Sequence, residues 1–240
     1  MLLHWLLLLI CGWAAAMVSG AAGFGGALLL LPVLTFVVGA KAAVPILTVA
    51  QLLGNSSRAA FGWRDIEWRP ALLFSVGAVP ASLLGSRLFI SMPTELVLRA
   101  IGVLLLAVVA LRHTSLAQRR MPEGLLAPAG AAVGLVSGIA GSAGPLGAAV
   151  FLGLKLEPQA YVASEAVTAV LMHLTKSLAY GRYSALSLGD FLRGLILGGS
   201  LVLGSWTGRI IIARLPQRGF SLLVEILLMV SAMSLLLGKV

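Results

Sequence analysis

The sequence predicts an all-α polytopic membrane protein of two inverted repeats, each of about five helical segments, with helical hairpins at two Gly-rich motifs. Three observations predict it. The 240 residues are 60% hydrophobic and 10% charged, with a mean hydropathy of +1.05, whereas a soluble domain carries about 25% charged residues. Apolar runs recur at lengths near the ~20 residues that cross a bilayer core. The features on the two sides of a central basic stretch also follow one another in the same order.

Ten apolar segments stand out, at about 2–19, 26–39, 43–61, 70–90, 95–111, 125–139, 144–154, 159–180, 188–212 and 219–238. All are read as helices, because a helix satisfies its own backbone in lipid. A transmembrane barrel would need ~10-residue alternating segments, and these runs do not alternate. Residues 1–20 lack a basic leading region and the apolar run resumes at Ala27, so they read as a first helix rather than a cleaved signal. The organisation is a first transmembrane repeat over 1–112, a central basic loop over 113–124 with Arg119 and Arg120, and a second repeat over 125–240.

The duplication rests on an offset of 118. Val18-Ser19-Gly20-Ala21-Ala22-Gly23 falls on Val136-Ser137-Gly138-Ile139-Ala140-Gly141, Gly26 on Gly144 and Arg58 on Lys176. One residue further along, Gly62 matches Gly181 and Gly85 matches Gly204. An odd number of segments per half makes the second half enter from the opposite side, a plan common in secondary transporters. With the 62–69 loop cytoplasmic, ten Lys and Arg lie on its side and seven on the other, which puts both termini outside.

Composition also excludes functions. The net charge of +9 sits mostly at the ends of apolar runs, where it sets topology and meets headgroups, so no nucleic-acid partner is expected. A single cysteine, Cys11, excludes an internal disulfide and a thiolate metal cluster. There is no phosphate-loop, zinc-ligand or dinucleotide signature. No cofactor, no metal site and no ATP-driven step by this chain alone are expected. The expected partners are the lipid bilayer and a small anionic substrate, with oligomeric state, a homodimer included, left open.

The segments after the Gly clusters are short: 27–39 has 13 residues and 144–154 has 11, about 20 Å and 17 Å of helix against a ~30 Å core. Gly20, Gly23, Gly25 and Gly26 precede the first; Gly138, Gly141, Gly144 and Pro145 precede the second. Helix starts present unpaired N–H groups and partial positive charge, and glycine lets a ligand approach. Two such starts meeting at the midplane make an anion site. The bland alternative for each glycine is close helix packing.

Polar residues inside the long third and eighth segments complete the picture. Thr48, Gln51 and Asn55 share a face, with Arg58 beyond them; Ser164, Thr168 and Thr175 share another, with Lys176 adjoining. Such faces point inward or hydrogen-bond between helices. Glu165 lies about two turns inside its segment, where a charge costs roughly 3 kcal/mol. It must be paired, protonated or functional, and it is the candidate proton carrier, with His173 as a candidate relay. Arg58 and Lys176 either complement the anion from the two halves or snorkel to headgroups.

The run Gly20-Ala21-Ala22-Gly23-Phe24-Gly25-Gly26-Ala27 with Leu31-Pro32, followed by a polar-lined segment and repeated after a central basic loop, resembles the TauE/SafE sulfite-exporter family of membrane permeases over nearly the whole chain. The second motif departs from the family's Gly-Gly-Gly pattern, reading Gly141-Ser142-Ala143-Gly144-Pro145. The resemblance implies transport of sulfite, sulfonates or related anions across the bacterial cytoplasmic membrane. The expected function is a secondary transporter working by alternating access, with a proton as candidate coupling ion, and no catalytic residues. Candidate substrate-binding residues are Gly23, Phe24, Gly25, Gly26, Gln51, Asn55, Arg58, Gly141, Ser142, Gly144, Thr168 and Lys176; Glu165 and His173 are the proton-coupling candidates. The alternatives are an anion channel or, in a different class, an intramembrane serine hydrolase using Ser142 and His173.

Overall fold

The structure is a computed structural model that describes residues 2–22, 26–112, 120–211 and 233. Nine α-helices lie within them: α1 (Leu2–Ala22), α2 (Gly26–Val38), α3 (Ala40–Phe61), α4 (Trp68–Ser91), α5 (Thr94–Arg112), α6 (Leu126–Ala140), α7 (Gly144–Leu152), α8 (Pro158–Arg182) and α9 (Leu188–Ile211). No strand occurs among the described residues. Each helix coincides with one of the first nine apolar runs; the tenth, 219–238, and most of the central loop lie outside the described residues, apart from Met233.

The short helices are short in fact. The 13 residues of α2 span about 20 Å. With 9 residues, α7 spans about 14 Å and ends two residues earlier than expected, because Lys155 takes a left-handed φ of 58° and residues 153–155 turn. Trp68–Ser91, Glu123–Ala140 and Leu188–Gly208 are long and apolar enough to cross a membrane. Helices α3 and α8 are equally long, but they carry the polar faces. Both are buried along much of their length, including Gln51, Asn55, Arg58, Glu165, His173 and Lys176. The large apolar side chains left exposed, such as Phe36, Val76, Leu178 and Ile196, suit a lipid-facing surface.

Helix pairing is the main feature of the architecture. The closest pairs are α4 with α6 and α1 with α9; α3 then packs on α9, α8 on α4, and α3 on α8. Exchanging α1–α4 for α6–α9 maps this set of pairs onto itself. The fourth helix of each half therefore lies in the other half's group: α1, α2, α3 and α9 form one bundle, and α4, α6, α7 and α8 the other. The α3–α8 contact is the largest that joins the two.

Small residues explain the tight pairs. On α6, Gly130, Gly134 and Gly138 recur every four residues, and a Cβ on each would run into the α4 carbonyls of Phe74, Ala78 and Ser82. Gly77 and Gly85 of α4 meet Ala127 O and Leu135 O in return. In the other bundle, Gly204 and Gly208 of α9 meet Trp13 O and Met17 O of α1. Without a hydrophobic drive between helices in lipid, such backbone approach is what holds membrane helices together.

Lys41, at the start of α3, closes the C-terminal end of α4. Its Nζ donates to Phe89 O at 2.9 Å, Ile90 O at 3.3 Å and Met92 O at 2.5 Å, and it sits 5.0 Å from the Phe89 ring. A cation on the last carbonyls of a helix is favoured by charge and by hydrogen bonding. Lys41→Met keeps the apolar stem and removes these bonds. It is expected to cost about 1–3 kcal/mol, read as a lower unfolding temperature in detergent.

Candidate functional site

The polar faces of α3 and α8 meet where the two bundles join, around a cavity of about 30 Å³. That is room for about two waters. One bundle contributes Ser19, Ala27, Gln51, Asn55 and Arg58. The other contributes Val133, Ser137, the turn Ser142–Gly144 with Gly147, and Glu165, Thr168, Ala169, Met172 and His173.

On α3 the side chains order one another. Asn55 Nδ2 donates to Gln51 O at 2.8 Å and to Gln51 Oε1 at 3.3 Å. Its Oδ1 accepts from Arg58 Nη2. Gln51 is thereby turned so that its Nε2 donor has no protein partner, though it is buried. Arg58 also donates from Nη1 to Ser19 O at 3.2 Å, and Nη2 lies 4.0 Å from Glu165 Oε2. That separation is an ion pair across a gap, too long for a hydrogen bond.

On α8, Glu165 Oε2 and His173 Nδ1 are buried with no hydrogen-bond partner. Thr168 spends its hydroxyl on Glu165 O at 2.8 Å. Buried polar atoms are rarely left unpaired, because each costs about 1–3 kcal/mol. Three orphans from two helices, all on one cavity, mark a place built to hold something polar. No group of His, Cys, Asp and Glu that would hold a metal ion occurs among the described residues.

The two Gly-rich breaks differ. In the first, Gly26 N donates to Ser19 Oγ at 2.8 Å, so that donor is already satisfied. Gly26 itself is wedged against Ala15 O and Ser19, and Ala27 is the described residue of that break facing the cavity. In the second, Gly141 takes a φ of 83°, which ends α6 in a left-handed turn that favours glycine. Ala143 and Gly144 then start α7 on the cavity wall. Leu146 N and Gly147 N both fold back on Ala143 O, and Pro145 has no N–H. The starts of α2 and α7 both reach the cavity, through Ala27 and through Ala143 and Gly144. The side chains of Gln51, Asn55, Arg58, Glu165, Thr168 and His173 add polar groups to the same cavity.

Lys176 takes the place in the second half that Arg58 takes in the first. Its Nζ donates to Ser137 O at 3.3 Å, Ser137 Oγ at 2.9 Å and Gly141 O at 2.8 Å. Arg58 bonds Ser19 O, and Ser19 matches Ser137 at the same offset of 118. Each cation thus closes the C-terminal end of its own half's first helix, where the dipole favours it. This corrects the snorkelling alternative: Lys176 is wholly buried and Arg58 is 8% exposed, so neither reaches headgroups.

Of the residues singled out from sequence, Gln51, Asn55, Arg58, Ser142, Gly144, Glu165, Thr168 and His173 line the one cavity. Gly26, Gly141 and Lys176 lie behind its wall, while Gly23, Phe24 and Gly25 fall outside the described residues. Sequence reasoning missed Ser19 and Ser137, whose signal was their match in the repeat. It also missed that His173 occupies the register of Asn55. Ser142 and His173 share the cavity, but His173 Nδ1 accepts no hydrogen bond from any hydroxyl, so no nucleophile–base pair is formed through it.

The family comparison decides the class of function. The profile of the sulfite exporter TauE/SafE family matches residues 8–235. The chain belongs to the TauE/SafE family. Comparison with curated proteins and with solved structures returned no significant match. TauE/SafE is a family of transporters rather than enzymes, and with its long apolar helices this TauE/SafE member is a multi-pass membrane transport protein.

Proposed function

We propose that the chain is a secondary transporter moving a small sulfur oxyanion or sulfonate across the bacterial cytoplasmic membrane by alternating access, with protons as the coupling ion. The observation that carries this is the small polar cavity at the α3–α8 joint. There the Arg58 guanidinium, the unpartnered Gln51 Nε2 and the unpartnered His173 Nδ1 converge beside the Glu165 carboxylate. Guanidinium and amide N–H groups match the oxygens of a sulfonate or sulfite head. Its position between two bundles of related make-up supports access from each side in turn.

The test is uptake into liposomes of sulfite, thiosulfate, sulfonates, sulfate and small carboxylates, with and without a pH gradient. A sulfur anion is expected to move, faster when protons can follow it, and labelled anion is expected to exchange in counterflow, which an open channel would not support. Movement of a cation with no anion would end the proposal. Glu165→Gln is expected to abolish the pH-driven component; unchanged proton coupling in that variant removes Glu165 from the mechanism.

A further inference from the structure

We infer that Arg58 is a shared counter-ion, for which the transported anion and the Glu165 carboxylate compete, so that each bound anion brings a proton onto Glu165 and the two cross the membrane together. This rests on the anion-carrier reading above and deepens it: it assigns co-transport rather than anion–proton exchange.

Among the described residues, few charges surround the cavity. Arg58 on α3 and Glu165 on α8 face each other at 4.0 Å. His173 lies on the same wall with Nδ1 unpartnered. Tyr161, one turn before Glu165, is largely buried. Lys176 is close by, but its ammonium is fully engaged by Ser137 and Gly141 at the end of α6 and does not line the cavity. Helix α4, which packs on α8, places Phe74, Ser75, Ala78 and Ser82 in its buried face and no ionisable group. Among the described residues, the cavity lining therefore carries one fixed positive charge, Arg58, and one carboxylate, Glu165.

An anion entering this space adds a second negative charge beside Glu165 and takes Arg58 hydrogen bonds for its own oxygens. Glu165 is then a buried carboxylate without its counter-ion, a strongly unfavourable arrangement. A proton from bulk water placed on Glu165 Oε2 restores neutrality. It also turns that atom from an acceptor facing an anion into an O–H donor to it. The two bound species thus favour one another, and by linkage the effect is reciprocal. Co-binding of anion and proton is what a co-transporter needs; exchange needs them to exclude each other. The 4.0 Å gap is the geometric sign: Arg58 and Glu165 are near enough to compensate in charge, yet unlocked by any hydrogen bond between them.

The test uses the purified full chain in detergent and methanesulfonate, whose single charge is constant across neutral pH. Adding it in weakly buffered solution is expected to draw about one proton from the medium per anion bound, and its affinity is expected to fall about tenfold per pH unit on the alkaline side. In Glu165→Gln, binding takes up no proton and loses its pH dependence. Glu95→Gln, exposed at the start of α5, changes neither. Binding by the wild-type chain with no proton uptake, or with proton release, overturns the shared counter-ion and leaves the carrier reading standing. Proton uptake that persists in Glu165→Gln overturns Glu165 as the acceptor and moves the role to His173. Failure to bind methanesulfonate or sulfite at all overturns the anion-carrier reading, and this inference with it.

Discussion

Replacing Arg58 with leucine is expected to abolish anion binding and to lower stability by about 3–5 kcal/mol, the cost of leaving one member of a buried ion pair alone. Arg58 joins three features at once: the end of α1 through Ser19 O, the ordering of Gln51 through Asn55, and the charge of Glu165. The stability loss and the binding loss have different origins, and a second substitution separates them. Arg58→Leu combined with Glu165→Gln removes both charges. It is expected to recover much of the stability, since losing both partners is far cheaper than losing one, while anion binding stays absent. Arg58→Lys keeps the charge but has no planar fork to serve Ser19, Asn55 and an anion together; it should fold and bind weakly. Thermal unfolding in detergent and equilibrium sulfite binding read the two effects. Wild-type affinity in either leucine variant would remove Arg58 from the site.

Gly134→Ala is expected to unfold the chain at a markedly lower temperature, and Gly134→Leu to prevent its recovery as a monodisperse species. A Cβ at this position would overlap the Ala78 carbonyl of α4. Carbonyls of a helix cannot turn aside as a side chain can, so the whole α4–α6 seam must open, together with the contacts of Gly130 and Gly138. Overpacking of this kind costs about 1–3 kcal/mol for one added methyl and more for a larger group. Gly199 of α9 is the matched control, since a Cβ there meets nothing within 4 Å. Gly199→Ala should be neutral or slightly stabilising through helix propensity. Equal unfolding temperatures for Gly134→Ala and Gly199→Ala would show that the seam is not tight.

Nine helices were legible from apolar runs, because covering hydrocarbon demands both length and composition. The polar faces of α3 and α8 were legible from spacing, since a buried polar stripe must point at something. The meeting of the two faces, and with it the grouping of Gln51 with Glu165 and His173, follows from the third-to-eighth correspondence of the repeat. The job of each glycine was not legible. Gly138 and Gly141 look alike in sequence, yet one packs against Ser82 O and the other permits a left-handed turn; which neighbour approaches is a tertiary matter. Nor was the role of Lys176 legible. Hydropathy places a buried lysine, but only the fold brings the end of α6 to it. The exchange of α4 and α9 between halves leaves no mark in composition, because one lipid-compatible helix is as apolar as another.

That exchange has a consequence for how the molecule can be divided. A cut in the central loop would yield two fragments, each with three helices of one bundle and one helix, α4 or α9, whose glycine face packs on the other fragment. Neither could complete a bundle by itself, so the fragments should accumulate only when made together. Under the proposed alternating access, the units that move past each other are, by the same reasoning, not the two halves of the sequence. Each would be a mixture of both, and residues 62–67 and 183–187, which carry the chain into the exchanged helices α4 and α9, are the straps that such a motion would bend.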